Sequence, residues 1–239
     1  MSPEPSQTGV PVTPVTSLDD PRALQILSTE HWSQLGARSL AYNEAFTRGG
    51  MFLTFLSMSF VALALLAQGM AFGTEFLTIA AVVLAFDFII GITTYGRISG
   101  ANVDDLRAVH AMARIRHGYT QIAPITKPYF TAPTYDDVAS VISTYGTGSA
   151  NPAGDMWYAL TTSGGMIGLI TAMVGGVLAA VIALIIGAPG GLSIWIGLAG
   201  GVLVFAAIVV LTFGAVPRHQ AQLDVLFPAP EREGTDSPS

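Results

Sequence analysis

Four apolar runs govern what this chain can become. They are GMFLTFLSMSFVALALLAQGM (50–70), EFLTIAAVVLAFDFIIGITTYG (75–96), GMIGLITAMVGGVLAAVIALIIG (165–187) and LSIWIGLAGGVLVFAAIVVLTFGAV (192–216). Each reaches the ~20 residues that a helix needs to cross about 30 Å of hydrocarbon. Strands of this composition would leave backbone N–H and C=O groups unpaired in lipid, so each run is expected to be a helix. The joints AFGTE (71–75) and APGG (188–191) are short enough to force each pair into a hairpin. The expected fold is all-α: an integral membrane four-helix bundle of two hairpins, with a small helical subdomain outside the bilayer. Only 11% of the residues are charged, against about 25% in a soluble domain, so much of the surface must face something other than water.

The placement of cations gives the expected orientation. Arg22, Arg38 and Arg48 precede the first run, and Arg97, Arg107, Arg114, Arg116 and Lys127 lie between the second and third. Arg218 and Arg232 follow the fourth, which completes the 10 Lys and Arg, and neither short joint carries one. Under the positive-inside rule both termini and the central loop are cytoplasmic, in a multi-pass protein of the plasma membrane. With no cysteine there is no disulfide, thiolate metal site or cysteine nucleophile.

The expected organisation is a disordered arm over 1–22, rich in proline and lacking a signal-peptide pattern. An amphipathic helix follows over 23–48 and is expected to run into the first span, then come hairpin 49–96, a cytoplasmic subdomain over 97–163, hairpin 164–216 and a disordered tail over 217–239. In the first helix Ser28 suits an N-cap, and Trp32, Leu35, Tyr42 and Phe46 share a face that would lie on headgroups or on the central loop. Glu44 and Arg48 suit an i,i+4 ion pair. In the central loop Asn102 and Asp105 suit the start of another helix, and DDVASVISTY (136–145) a short one capped near Thr134. Trp157 and Tyr158 suit an interfacial position before the third run.

On the helix over 101–119, Val109, Met112, Ile115 and Tyr119 form one face. Arg107, His110, Arg114 and His117 fall within ~80° on the other. That basic stripe suits an anionic lipid headgroup, an anionic ligand or an acidic protein segment, or is simply a solvated face. The stretches HWSQLGARSLAYNEAFTRGGMFLT (31–54) and ARIRHGY (113–119) resemble a group of uncharacterised bacterial four-span membrane proteins. The resemblance covers roughly residues 24–220. It implies the same architecture, a helix before the first span and an Arg-rich helix after the second, and carries no activity.

No catalytic set is legible. His31, His110, His117 and His219 are scattered, no phosphate-binding glycine loop or nucleophile elbow occurs, and the cations are too few for nucleic acid. No cofactor or metal is expected, and the chain is not expected to be an enzyme. Two features of the spans stand out. Gly164, Gly168, Ala172, Gly176 and Ala180 form a small-residue ridge, which Gly197 and Gly201 match in the fourth run; such ridges pack helices together, within one chain or in a homo-oligomer. Asp87 is the other feature. It is an acid ~13 Å from Gly96 along the helix, at the depth of Ser57 and Thr171, which are its expected hydrogen-bond partners. An uncompensated carboxylate there costs ~3 kcal/mol, so Asp87 is expected to be neutral, wetted, or met by a passing cation. The two functional expectations are a membrane scaffold or regulatory component that presents its subdomain to a partner or lipid, and a small oligomeric channel or cation-coupled transporter built on Asp87.

Overall fold

The computed structural model describes residues 14–70, 72–145, 154, 160–220 and 223–230, and among them there is helix and no strand. Helices α1 (Pro21–Met70) and α2 (Thr74–Ile122) run unbroken for 50 and 49 residues, about 75 Å each at ~1.5 Å per residue. A 3-10 turn (Pro124–Tyr129) and the short α3 (Val138–Ser143) come next. The chain then forms α4 (Ser163–Ile185) and α5 (Gly190–Gln220). The 4 helices α1, α2, α4 and α5 are long and apolar enough to cross a membrane. Trp157, Tyr158 and the outer parts of both termini lie outside the described residues.

The length of α1 and α2 corrects two local expectations. The helix over 23–48 runs on into the first span as the outer half of α1. Ser28 lies inside that helix, with its hydroxyl on the Gln25 carbonyl, and the start is made instead by Asp20, whose carboxylate accepts from the Arg22 amide at 2.9 Å, with Pro21 at the first position. Asn102 and Asp105 start nothing, because α2 passes straight through them. Polar residues end an apolar run, but only a break in the i→i−4 ladder ends a helix, and no proline lies inside 22–70 or 74–122 to make one. The prolines at 124, 128 and 133 do end α2 and shape the connection beyond it. The cap of α3 is Asp137, which accepts from the Ser140 amide at 2.9 Å, and not Thr134.

α1 and α2 pack along one long seam. Ala45, Gly49, Phe52, Leu56, Ser59, Leu63 and Ala67 are buried on α1, and Phe76, Ala80, Leu84, Asp87, Gly91, Thr94, Ile98, Ala101 and Asp105 on α2. Steps of three and four alternate over 45–63 and 80–105, the spacing of a coiled-coil interface, and a second step of four follows in each towards the α1–α2 joint. Further out, α1 turns Ala23, Leu27, His31, Gln34 and Arg38 towards the interior. The face expected to be covered is mostly open: Trp32, Leu35 and Phe46 are exposed, Trp32 by 70%, and so is Leu24, while Tyr42 is half-buried. Together the outer halves of α1 and α2 form a two-helix stalk.

The spanning helices pack in the order α1–α2–α4–α5. At the α1–α2–α4 meeting point a Cβ on Gly91 would sit 2.6 Å from Thr171 Oγ1 and 3.1 Å from Phe52 Cζ, so only glycine fits. The small-residue ridge divides its work. Gly164 and Gly168 lie against Ile98 and Tyr95 of α2. Further along, α4 and α5 touch backbone to backbone: a Cβ on Gly176 would come 2.7 Å from the Gly197 carbonyl oxygen, and one on Gly197 2.8 Å from Ala180 Cβ. Gly201 completes the contact, 3.3 Å from the Ala172 carbonyl by the same measure. That part of the ridge is spent within one chain. The Tyr95 hydroxyl is hydrogen-bonded to that of Thr212, which ties α5 to α2 as well.

Candidate functional site

Asp87 is completely buried in the α1–α2 seam. Its Oδ1 accepts a hydrogen bond from Ser59 Oγ at 3.0 Å, and its Oδ2 has no partner among the described residues. Neither expected partner is used. Ser57 is exposed and donates to the Leu53 carbonyl at 2.8 Å. Two residues along a helix turn a side chain by ~200°, so a serine at the right depth stands on the wrong face. Thr171 is buried, but its hydroxyl donates to the Ile167 carbonyl of its own helix at 2.7 Å and packs against Gly91. The site therefore comprises Asp87 and Ser59 in a closed seam, with half the carboxyl left without a hydrogen bond.

The basic stripe on outer α2 is covered, which corrects its reading as an open anion or lipid site. Asp136, 0% exposed, is the residue that covers it. Arg114 Nε donates to Asp136 Oδ2 at 2.8 Å, and His110 Nε2 lies 3.8 Å from the same oxygen. His117 Nδ1 is 3.2 Å from the Thr134 carbonyl oxygen. Only Arg107 still points outward, and it is paired with Asp104 at 3.4 Å. An open cleft of about 330 Å³ beside it is lined by Gln34, Arg38, Asp104, Asp105 and Arg107. Arg38 is itself held by the Asp105 carboxylate. Cations compensated within the chain leave little for an anionic headgroup to gain.

The chain end completes this arrangement, so 223–230 is not the featureless tail expected of it. The amides of Leu226 and Phe227 donate to the two Asp136 carboxylate oxygens at 2.9 and 2.7 Å. The Asp136 amide returns a bond to the Phe227 carbonyl at 3.1 Å, and the Ala229 amide donates to Asp137 Oδ2 at 3.1 Å. Pro228, which has no N–H, is passed over. The Phe227 ring stacks on the His117 imidazole, with centroids 4.2 Å apart and planes 17° from parallel. Arg114 donates to the Asp224 carbonyl as well as to Asp136. Burial alone would raise the Asp136 carboxyl, but the Leu226 amide, Arg114 and the Phe227 amide outweigh it and hold the group below its ordinary value. His110 is pushed down, by burial first and by Arg114 second.

Two further polar ties brace the stalk. Asp105, 2% exposed, receives the Arg38 guanidinium and the Tyr145 hydroxyl, the latter at 2.7 Å; burial and then the hydrogen bond to Asp105 push the Tyr145 phenol up. The Glu44–Arg48 pair forms at 3.0 Å as expected, and Arg97 of α2 joins it at 2.9 Å. Sequence reasoning missed Ser59, Asp136, Tyr145 and 224–229. The signal for Ser59 was its place in the 52–56–59–63 spacing; Asp136 and 224–229 give no local signal, because their partners lie 22 to 110 residues away.

No family model matches this chain, and neither a curated protein nor a solved structure matches it.

Proposed function

We propose that this chain is a multi-pass plasma-membrane protein that acts as a scaffold or regulatory component, holding a helical subdomain on a stalk in the cytoplasm. One observation carries the reading: the outer half of α1 leaves Leu24, Trp32 and Leu35 exposed on a face clear of the span. Because α1 continues without a break from the apolar run, Trp32 stands ~27 Å along the helix from Gly50 and does not face lipid. Contiguous apolar side chains in water mark a surface for another protein. The membrane domain, two hairpins closed by the α4–α5 glycine contact, serves as the anchor.

The second reading is a cation-conducting or cation-coupled assembly, and the specific observation in its favour is Asp87 Oδ2, buried without a hydrogen bond. Flux measurements on reconstituted wild-type and Asp87→Asn proteins separate the two. The scaffold reading expects no proton or cation flux above empty vesicles from either. Flux that Asp87→Asn abolishes would replace it with the second reading. In parallel, a photo-crosslinker at Leu35 should give discrete adducts in cells, which Trp32→Glu removes without lowering the melting temperature.

A further inference from the structure

The segment 224–229 is held in a way that suits a ligand better than a structural strand. Its anchorage is concentrated at Asp136, Asp137, Arg114 and His117, while its own side chains contribute one ring. Residues 224–226 and 228–230 are exposed and Phe227 is half-buried. The two successive amides converge on one carboxylate because the chain bends at 226–227; main-chain bonds give a docked peptide its affinity and a side chain seated on the receiving surface gives selectivity. The receiving surface is also built to stand without its occupant. Arg114 bonds Asp136 directly, His117 keeps the Thr134 carbonyl, and Asp137 keeps Ser140 at the start of α3. Removal of the segment leaves no unpaired charge behind, so release does not carry the penalty of a broken buried ion pair.

We infer that Asp136, Asp137, Arg114 and His117 form a peptide-recognition site whose resident ligand is the chain's own segment 224–229, reversibly held. The ligand chemistry is set by the contacts. Two successive residues must offer amides to Asp136, the second must be aromatic to stack on His117, proline is accepted next because no amide is needed there, and the residue after it must offer an amide to Asp137. A free peptide of this pattern exchanges with the resident segment. The inference is independent of the scaffold reading and survives its failure, since it rests on the 134–137 and 224–229 geometry alone.

The natural chain has no cysteine, so a spin label on the full chain at Ala229→Cys, in lipid nanodiscs, reports this segment and nothing else. The probe is the synthetic peptide Leu-Asp-Val-Leu-Phe-Pro-Ala-Pro, the sequence of 223–230. The label should be immobilised without peptide and become mobile, saturably, as peptide is added. A peptide with Ala in place of Phe should need about tenfold more, the weight of one aromatic anchor. Introducing Asp136→Asn should free the label without any peptide. Should that variant fold poorly, Phe227→Ala, which lies only in the segment, should let about tenfold less wild-type peptide free the label while thermal unfolding stays as in the wild type. A label that stays immobile at saturating peptide, or a Phe227→Ala chain that needs as much peptide as the wild type, would overturn the proposal and make the segment a fixed part of the fold.

Discussion

Ser59 reaches Asp87 across the α1–α2 seam, while Ser57 bends its hydroxyl back to the Leu53 carbonyl. The two residues have the same chemistry and nearly the same depth, so they make a matched pair for measurement. Ser59→Ala removes the hydrogen bond that Asp87 receives and should cost about 1 kcal/mol, between a typical interhelical bond in a membrane and the penalty for an unsatisfied buried group. Ser57→Ala should be neutral. Unfolding in mixed micelles, compared between the two variants, checks this, and equal losses would count against the seam as described. The pair also shows what a single sequence reveals about a buried site. Asp87 was legible because a carboxylate in an apolar run is conspicuous. Its partner was not, because depth comes from counting residues whereas facing depends on which side of α1 meets α2.

Among elements, helices α4 and α5 approach most closely at Gly176, Gly197 and Gly201. Here the small-residue spacing in the sequence did mark the contact, since backbones can meet only where neither carries a side chain. The spacing did not show that Gly164 and Gly168 serve α2 instead, because one ridge on α4 winds past two neighbours. Gly176→Ala would push a methyl group within 2.7 Å of the Gly197 carbonyl. With backbone on both sides there is nothing flexible to move aside, so the expected loss is about 1–3 kcal/mol, typical of overpacking. Gly190→Ala, which has nothing within 4 Å, is the control and should change stability little. The stalk gives the opposite lesson about legibility. Arg97 and the charges beyond it made α2 look like a span followed by a separate helix, yet hydropathy marks where lipid ends and not where the hydrogen-bond ladder ends. The basic stripe misled for a related reason. Arg114 and His117 are cationic or polar on a helical wheel whatever covers them, and their cover is Asp136 and two amides far along the chain.

At the scale of the molecule, the docked chain end constrains topology independently of charge counting. Residues 224–229 touch Arg114, His117, Asp136 and Asp137, so the chain beyond α5 and the connection between α2 and α4 must share one side of any membrane. The number of crossings between them must then be even, and α4 with α5 supplies two. α1 and α2 lie antiparallel along the stalk, tied by Arg38 to Asp105 and by Arg97 to Glu44, which puts the start of α1 on that same side. All three segments carry the Lys and Arg residues, and the proposal, on the positive-inside rule, is that this shared side is the cytoplasmic one. Single cysteines introduced into this cysteine-free chain test both steps. Gly36→Cys on the stalk and Gly190→Cys at the α4–α5 joint each stand in open space. Gly190→Cys should react with a membrane-impermeant maleimide in intact cells, and Gly36→Cys and Ala229→Cys only after permeabilisation. The reverse pattern would keep the fold and invert its orientation. Labelling of Gly36→Cys and Ala229→Cys from opposite sides would instead break the shared-side geometry, because no rotation of an intact α1–α2 stalk can carry one of them across a bilayer without the other.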